Sequence, residues 1–150
     1  METLMPRILI IDDEPLVRAV LRRILERNGH TVMEASDGRA GLALWRDTPG
    51  DLVLTDLFMP HTDGIEVIVQ FSRLWPETKI IAMTGGANTV DFISTVAPAA
   101  LQLGARHHLL VKPFTVGTLL AAISAVLNST AGARAEESRT ETPISLKGRQ

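Results

Sequence analysis

In Arg7-Ile8-Leu9-Ile10-Ile11-Asp12-Asp13 the apolar run Ile8 to Ile11 stops at two carboxylates, and the pattern recurs along the chain. Leu52 to Thr55 runs into Asp56, Ile80 to Met83 into Thr84, and Leu109 to Val111 into Lys112. Short runs that are apolar throughout suit strands buried on both faces, as in a parallel sheet covered by helices. In open sheets of that kind the carboxyl ends of the strands form one rim, and ligands bind in the crevice there. Asp12 and Lys112, 100 positions apart in the chain, are thereby expected to meet.

Between the runs lie longer amphipathic segments, and the alternation predicts an α/β domain of five βα units around a parallel sheet. The first strand is Arg7 to Ile11. Pro15, preorganised for a first helical position, opens a helix to about Asn28 that Gly29 stops, with Leu16, Val20, Leu21, Ile24 and Leu25 as its apolar stripe. Strands follow at Thr31 to Ala35, Asp51 to Thr55, Lys79 to Met83, and His107 or His108 to Val111. Helices are expected at Gly38 to Arg46, at Gly64 to Leu74 (capped by Thr62 or Asp63), and at Val116 to Leu127. A fourth helix between Asn88 and Leu103 contains Pro98, which removes a backbone donor and implies a kink or break. Residues 1–128 form the expected domain. From Ser129 to Gln150 the composition turns polar and small, and the segment is read as a disordered tail.

Composition narrows the function classes. With 150 residues, 45% hydrophobic, the chain suits one well-buried core. No cysteine is present, which removes disulfides, zinc-thiolate sites and thiol nucleophiles, and suits a cytoplasmic location. No apolar stretch approaches the roughly 18 residues of a membrane span, and Met1 to Ile11 lacks the pattern of a secretory signal. The net charge is −2, and Arg18, Arg22, Arg23 and Arg27, on one helix, read as a solvated face. Direct nucleic-acid binding is not expected.

Asp12, Asp13 and Asp56 would crowd three carboxylates at the ends of strands adjacent in a flavodoxin-like, doubly wound order 2-1-3-4-5. Such crowding calls for a cation, and oxygen-only ligands suit a hard metal, Mg²⁺. Opposite them Lys112 offers a compact positive charge and Thr84 a hydroxyl able to donate to a phosphoryl oxygen. Gly85 and Gly86 leave backbone N–H groups approachable by a ligand.

Together these residues resemble the receiver domain of two-component response regulators. The resemblance runs from about Arg7 to Asn128. It rests on Ile-Ile-Asp12-Asp13-Glu14, on Asp56-Leu57-Phe58-Met59-Pro60 followed by Asp63-Gly64, on Met83-Thr84-Gly85, and on Lys112-Pro113-Phe114. It implies that Asp56 accepts a phosphoryl group from a phosphohistidine of a histidine kinase or phosphotransfer protein. It also implies that Asp13, Asp56 and the backbone carbonyl of Phe58 bind Mg²⁺, with Asp12 acting through a metal-bound water. Lys112 and Thr84, with the Gly85 backbone, would hold the acyl phosphate, and the Lys112–Pro113 peptide would be cis. Such a protein is not an enzyme on other molecules: it catalyses only its own phosphorylation and dephosphorylation. It signals through the face made by the fourth helix, fifth strand and fifth helix, to a downstream protein target, as a monomer or a phosphorylation-dependent dimer. A stand-alone receiver without an output domain is expected.

Two departures bear on switching. Thr84 and Lys112 lie 28 positions apart, several more than is usual in the family, with the excess around Pro98. The family's aromatic switch position, three residues before the lysine, is Leu109 here, and the chain has no Tyr. His108 would substitute only if the strand carried a bulge. A receiver that no longer switches, serving as phosphate sink or scaffold, is therefore the main alternative. A Mg²⁺-dependent phosphohydrolase is disfavoured because Phe58 stands where a second acid would serve as general acid. A flavin site is disfavoured because Asp12-Asp13-Glu14 would repel the flavin phosphate. Phe58 is also placed to limit water access to the phosphate, and Trp45 and Trp75 are read as packing residues.

Overall fold

The computed structural model describes residues 5–59, 62–85 and 107–128, the side chains of 62, 63 and 107 excepted. The expected fourth helix with its break at Pro98, Gly86, and the tail from residue 129 lie outside them. In chain order the elements are β1 (Arg7–Ile11), α1 (Pro15–Arg27), β2 (Thr31–Ala35), α2 (Gly38–Asp47) and β3 (Leu52–Asp56). They continue with β4 (Phe58–Met59), β5 (Thr62–Asp63), α3 (Gly64–Leu74), β6 (Ile80–Thr84), β7 (His107–Val111) and α4 (Val116–Leu127).

Five strands form one parallel sheet in the order β2-β1-β3-β6-β7. This is the predicted doubly wound topology, since β4 and β5 pair only with each other, antiparallel. That two-residue hairpin was not anticipated, and it places Thr62 and Asp63 in a strand directly before α3.

Side chains alternate across each strand, so each strand feeds two cores. Ile8, Ile10, Leu52, Leu54, Ile81 and Met83 pack against Leu21 and Leu25 of α1 and Leu119, Ile123 and Val126 of α4. Leu9, Ile11, Val53, Ile80 and Ala82 pack against Trp45 of α2 and Val67, Ile68 and Phe71 of α3. Trp45 meets Phe71 edge-on at 5.7 Å and Trp75 stacks obliquely on Phe71 at 5.6 Å, so both indoles are packing residues. No helix among the described residues is long and apolar enough to cross a membrane.

Local chemistry sets the helix ends. Asp37 accepts from the Ala40 N–H at 2.8 Å to cap α2, and Thr115 accepts from the Thr118 N–H at 3.0 Å to cap α4. Gly29, at φ 87°, takes the left-handed conformation that ends α1.

The stripe expected on α1 needs correction. Leu21 and Leu25 are buried, but Leu16 is 78% and Val20 57% exposed. Helical geometry gives the reason: positions 16, 20, 23 and 27 share one line of the helix, so Leu16 and Val20 lie with exposed Arg23 and Arg27. The solvated-face reading of the arginines holds only for that line. Arg18 and Arg22 instead turn towards Glu34 on β2, with Nε to carboxylate distances of 3.1 and 2.8 Å.

The His108 substitution is also corrected. β7 pairs with β6 without interruption from Ile80 opposite His107 to Thr84 opposite Val111, so there is no bulge. Leu109 lies on the same sheet face as Thr84, and His108 lies on the other. His108 is half-buried, and burial lowers its pKa.

Candidate functional site

The carboxyl ends of β1, β3, β6 and β7 bring the predicted residues to one rim. Asp12 follows β1, extending the sheet by donating its N–H to the Ala35 carbonyl at 3.1 Å. Asp56 ends β3, Thr84 ends β6, and Lys112 follows β7 with its N–H on the Thr84 carbonyl at 2.6 Å. One carboxylate oxygen from each of Asp12, Asp13 and Asp56 can be chosen so that all three lie within 4.8 Å of one another.

Asp12 is fully buried and Asp56 nearly so. Asp12 Oδ1 accepts from the Glu14 N–H at 2.9 Å, which shapes the turn into α1. Its Oδ2 is buried with no hydrogen-bond partner among the described residues. Burial, and then the Asp56 and Asp13 charges, push the Asp12 pKa above the ordinary carboxylate value, although the Glu14 N–H and Lys112 act in the opposite sense. A buried acid with one oxygen unspent, beside two more acids, is the donor set of a hard divalent cation. The residues present therefore fit Mg²⁺.

Asp56 Oδ1 accepts from the Phe58 N–H at 3.0 Å, and Oδ2 lies 3.4 Å from Lys112 Nζ. The second distance is long for an N–H···O bond, so the ammonium is paired with the carboxylate without being locked onto it. Asp56, Phe58, Gly85, Lys112 and Pro113 line a cleft of about 410 Å³. Thr84 is fully buried, and its Oγ1 has no hydrogen-bond partner among the described residues. A buried hydroxyl of this kind has a donor that an added acceptor would satisfy.

Gly85 is required by close approach. A Cβ there would lie 2.9 Å from Lys112 Cβ and 3.3 Å from Cδ, so the glycine lets the lysine stem lie flat across the end of β6. The Lys112–Pro113 peptide is cis, as the resemblance implied. Leu109, in the switch position, is half-buried against the α2–α3 core. The sequence reading missed Arg18 and Glu34, which stand behind the acids. The available signal was Glu34, the one charged residue of β2 (Thr31–Ala35).

Known proteins share this fold. The family model described as "Response regulator receiver domain" matches residues 8–124, and the chain belongs to that family. It is 36% identical over 143 residues to "Response regulator MprA" of Mycolicibacterium vanbaalenii, covering 93% of this chain and 59% of that protein. The chain thus spans little more than half the length of that relative. Among solved structures, a CheY-like response regulator receiver domain protein from Methanospirillum hungatei superposes with a TM-score of 0.74 at 29% identity, covering 84% of this chain and 96% of the other. The response regulator TrrA of Thermotoga maritima, solved in complex with Mg²⁺-BeF, gives 0.69 at 28% identity over 81% of this chain and 99% of its own.

Proposed function

We propose that this chain is a phosphoryl-accepting response regulator in which Asp56 takes a phosphoryl group from the phosphohistidine of a histidine kinase or phosphotransfer protein. The observation that carries the reading is the buried Asp56 carboxylate between an acid pair and Lys112, with Asp12 Oδ2 and Thr84 Oγ1 both without a hydrogen-bond partner among the described residues. In-line transfer forms a bond from the Asp56 carboxylate to phosphorus as the bond to the imidazole nitrogen breaks. Positioning and charge neutralisation supply most of the catalysis in such a step.

The residues divide that work. The Phe58 N–H fixes one oxygen of Asp56 and so sets the plane of the carboxylate. Lys112, loosely paired with Asp56, turns to a phosphoryl oxygen once the carboxylate is phosphorylated, and Thr84 Oγ1 donates to another. Asp12, Asp13 and Asp56, with the Phe58 carbonyl, would hold Mg²⁺. When bound, the cation neutralises the acids and the incoming phosphoryl oxygens. The Mg²⁺-BeF in the T. maritima relative supports that assignment. The chemistry is confined to the protein's own Asp56, so the chain is not an enzyme acting on other substrates. Its output is a changed surface for a downstream partner.

A specific observation favours a second reading, a non-switching phosphate sink or scaffold. Leu109 stands where the family has an aromatic, and the unbroken β6–β7 register keeps His108 on the opposite face.

Intact mass after incubation with Mg²⁺ and acetyl phosphate tests the chemistry, with Asp56→Ala as control. One added phosphoryl group, absent from the variant, is the expected result; no gain from acetyl phosphate or from a phosphorylated kinase overturns the proposal. Amide NMR shifts recorded in parallel separate the two readings. Changes spreading from Thr84 to Leu109 indicate a switch, and changes confined to Asp12, Asp13 and Asp56 indicate a sink.

A further inference from the structure

Arg18 lies one turn into α1, and its side chain is only 18% exposed. It does not point at the carboxylates. Its Nη1 donates to the backbone carbonyl of Asp12 at 2.7 Å, and its Nε donates to Glu34 Oε1 at 3.1 Å. Glu34 is itself held by Arg22, whose Nη2 donates to the Val32 carbonyl at 2.9 Å. The Asp12 N–H is tied to the Ala35 carbonyl. The residue that carries the acid pair is thus anchored to β2 directly through its N–H and through Arg18 and Glu34 at its C=O.

We propose that Arg18 is a positioning residue for the acid site: braced by Glu34, its guanidinium fixes the peptide that joins Asp12 to Asp13. This rests on the reading of Asp12, Asp13 and Asp56 as a divalent-cation site. The Asp12 carbonyl and the Asp13 N–H belong to one planar peptide, so anchoring the carbonyl sets the direction in which Asp13 leaves the strand. A guanidinium placed on the carboxylates would compete with a cation for the same oxygens. Placed on the carbonyl, it orients them without occupying their oxygens. Two donors of a rigid fork reach two acceptors at once, which the single nitrogen of a lysine does less well.

The test is Mg²⁺ affinity of the full chain, measured by calorimetry and by the amide shifts of Asp12, Asp13 and Asp56, with no phosphodonor present. Arg18→Met, which keeps an apolar stem and removes the fork, is expected to weaken Mg²⁺ binding on the order of tenfold to a hundredfold, the usual cost of losing a group that orients metal ligands. Arg22→Met removes the other partner of Glu34 but leaves both Arg18 hydrogen bonds in place, and is expected to weaken the affinity much less than Arg18→Met. Arg18→Lys should recover part of the loss. Unchanged affinity in Arg18→Met, or equal losses in Arg18→Met and Arg22→Met, would overturn the assignment. If Arg18→Met does not fold, Glu34→Leu takes its place, removing the acceptor for Arg18 Nε, with weakened binding expected and wild-type affinity counting against the proposal. Failure of the wild-type chain itself to bind Mg²⁺ would remove the cation site, and the role given to Arg18 with it.

Discussion

Asp12 is the residue where burial and function oppose each other most directly. Its pKa is raised by desolvation and by the neighbouring acids, so the folded chain binds this proton more tightly than the unfolded chain does. The sign follows: this carboxyl contributes stability below its unfolded pKa, and the contribution is lost as pH rises through the higher folded value. Without divalent cations, Asp12→Asn is therefore expected to raise the melting temperature at neutral pH, because Asn keeps an oxygen for the Glu14 N–H and carries no charge. Thermal melts in EDTA check this, and an unchanged or lower melting temperature would contradict it. Mg²⁺ affinity should also fall on acidification at a higher pH than for an ordinary carboxylate site. At Gly85, an alanine would push on the Lys112 stem. Gly85→Ala should slow acetyl phosphate labelling of Asp56 while leaving the chain folded, which a mass time course alongside circular dichroism measures.

At the scale of elements, α1 and the β3–α3 connection carry the clearest consequences. Leu16 and Val20 are apolar but lie on the exposed line of α1, so serine at either position should change stability by no more than about 0.5 kcal/mol. Leu25 is fully buried, and Leu25→Ala should cost about 2–5 kcal/mol in urea denaturation. Equal losses at the two kinds of position would contradict the helix orientation. Gly64 begins α3 with its backbone against the β3–β4 link: a Cβ would lie 2.5 Å from both Leu57 Cα and Leu57 O. Neither backbone atom can move aside easily, so Gly64→Ala should destabilise by about 1–3 kcal/mol through overpacking. The strands were legible in sequence because runs such as Ile8–Ile11 are apolar at every position. The β4–β5 hairpin was not legible, because two-residue strands carry no periodicity.

At the scale of the molecule, the parallel sheet converts distant positions into one site, and ligand binding there is linked to global stability. Mg²⁺ that binds only the folded chain should stabilise it by about 2.7 kcal/mol at a hundredfold excess over its Kd. Asp56→Ala should show a smaller gain, and denaturant titrations with and without Mg²⁺ compare the two.

The sequence by itself determined the doubly wound fold, the family, and the residues at the rim, because strand ends and their side-chain types are local facts. Asp12, Asp13, Asp56, Thr84 and Lys112 could all be named from the runs they terminate. Only the tertiary structure decided that Arg18 grips the Asp12 carbonyl, that His108 faces away from Thr84, and that Leu16 and Val20 stand exposed. Each depends on register between strands or on the rotation of a helix against the sheet. Those are fixed by packing among residues far apart in the chain, which local periodicity does not encode.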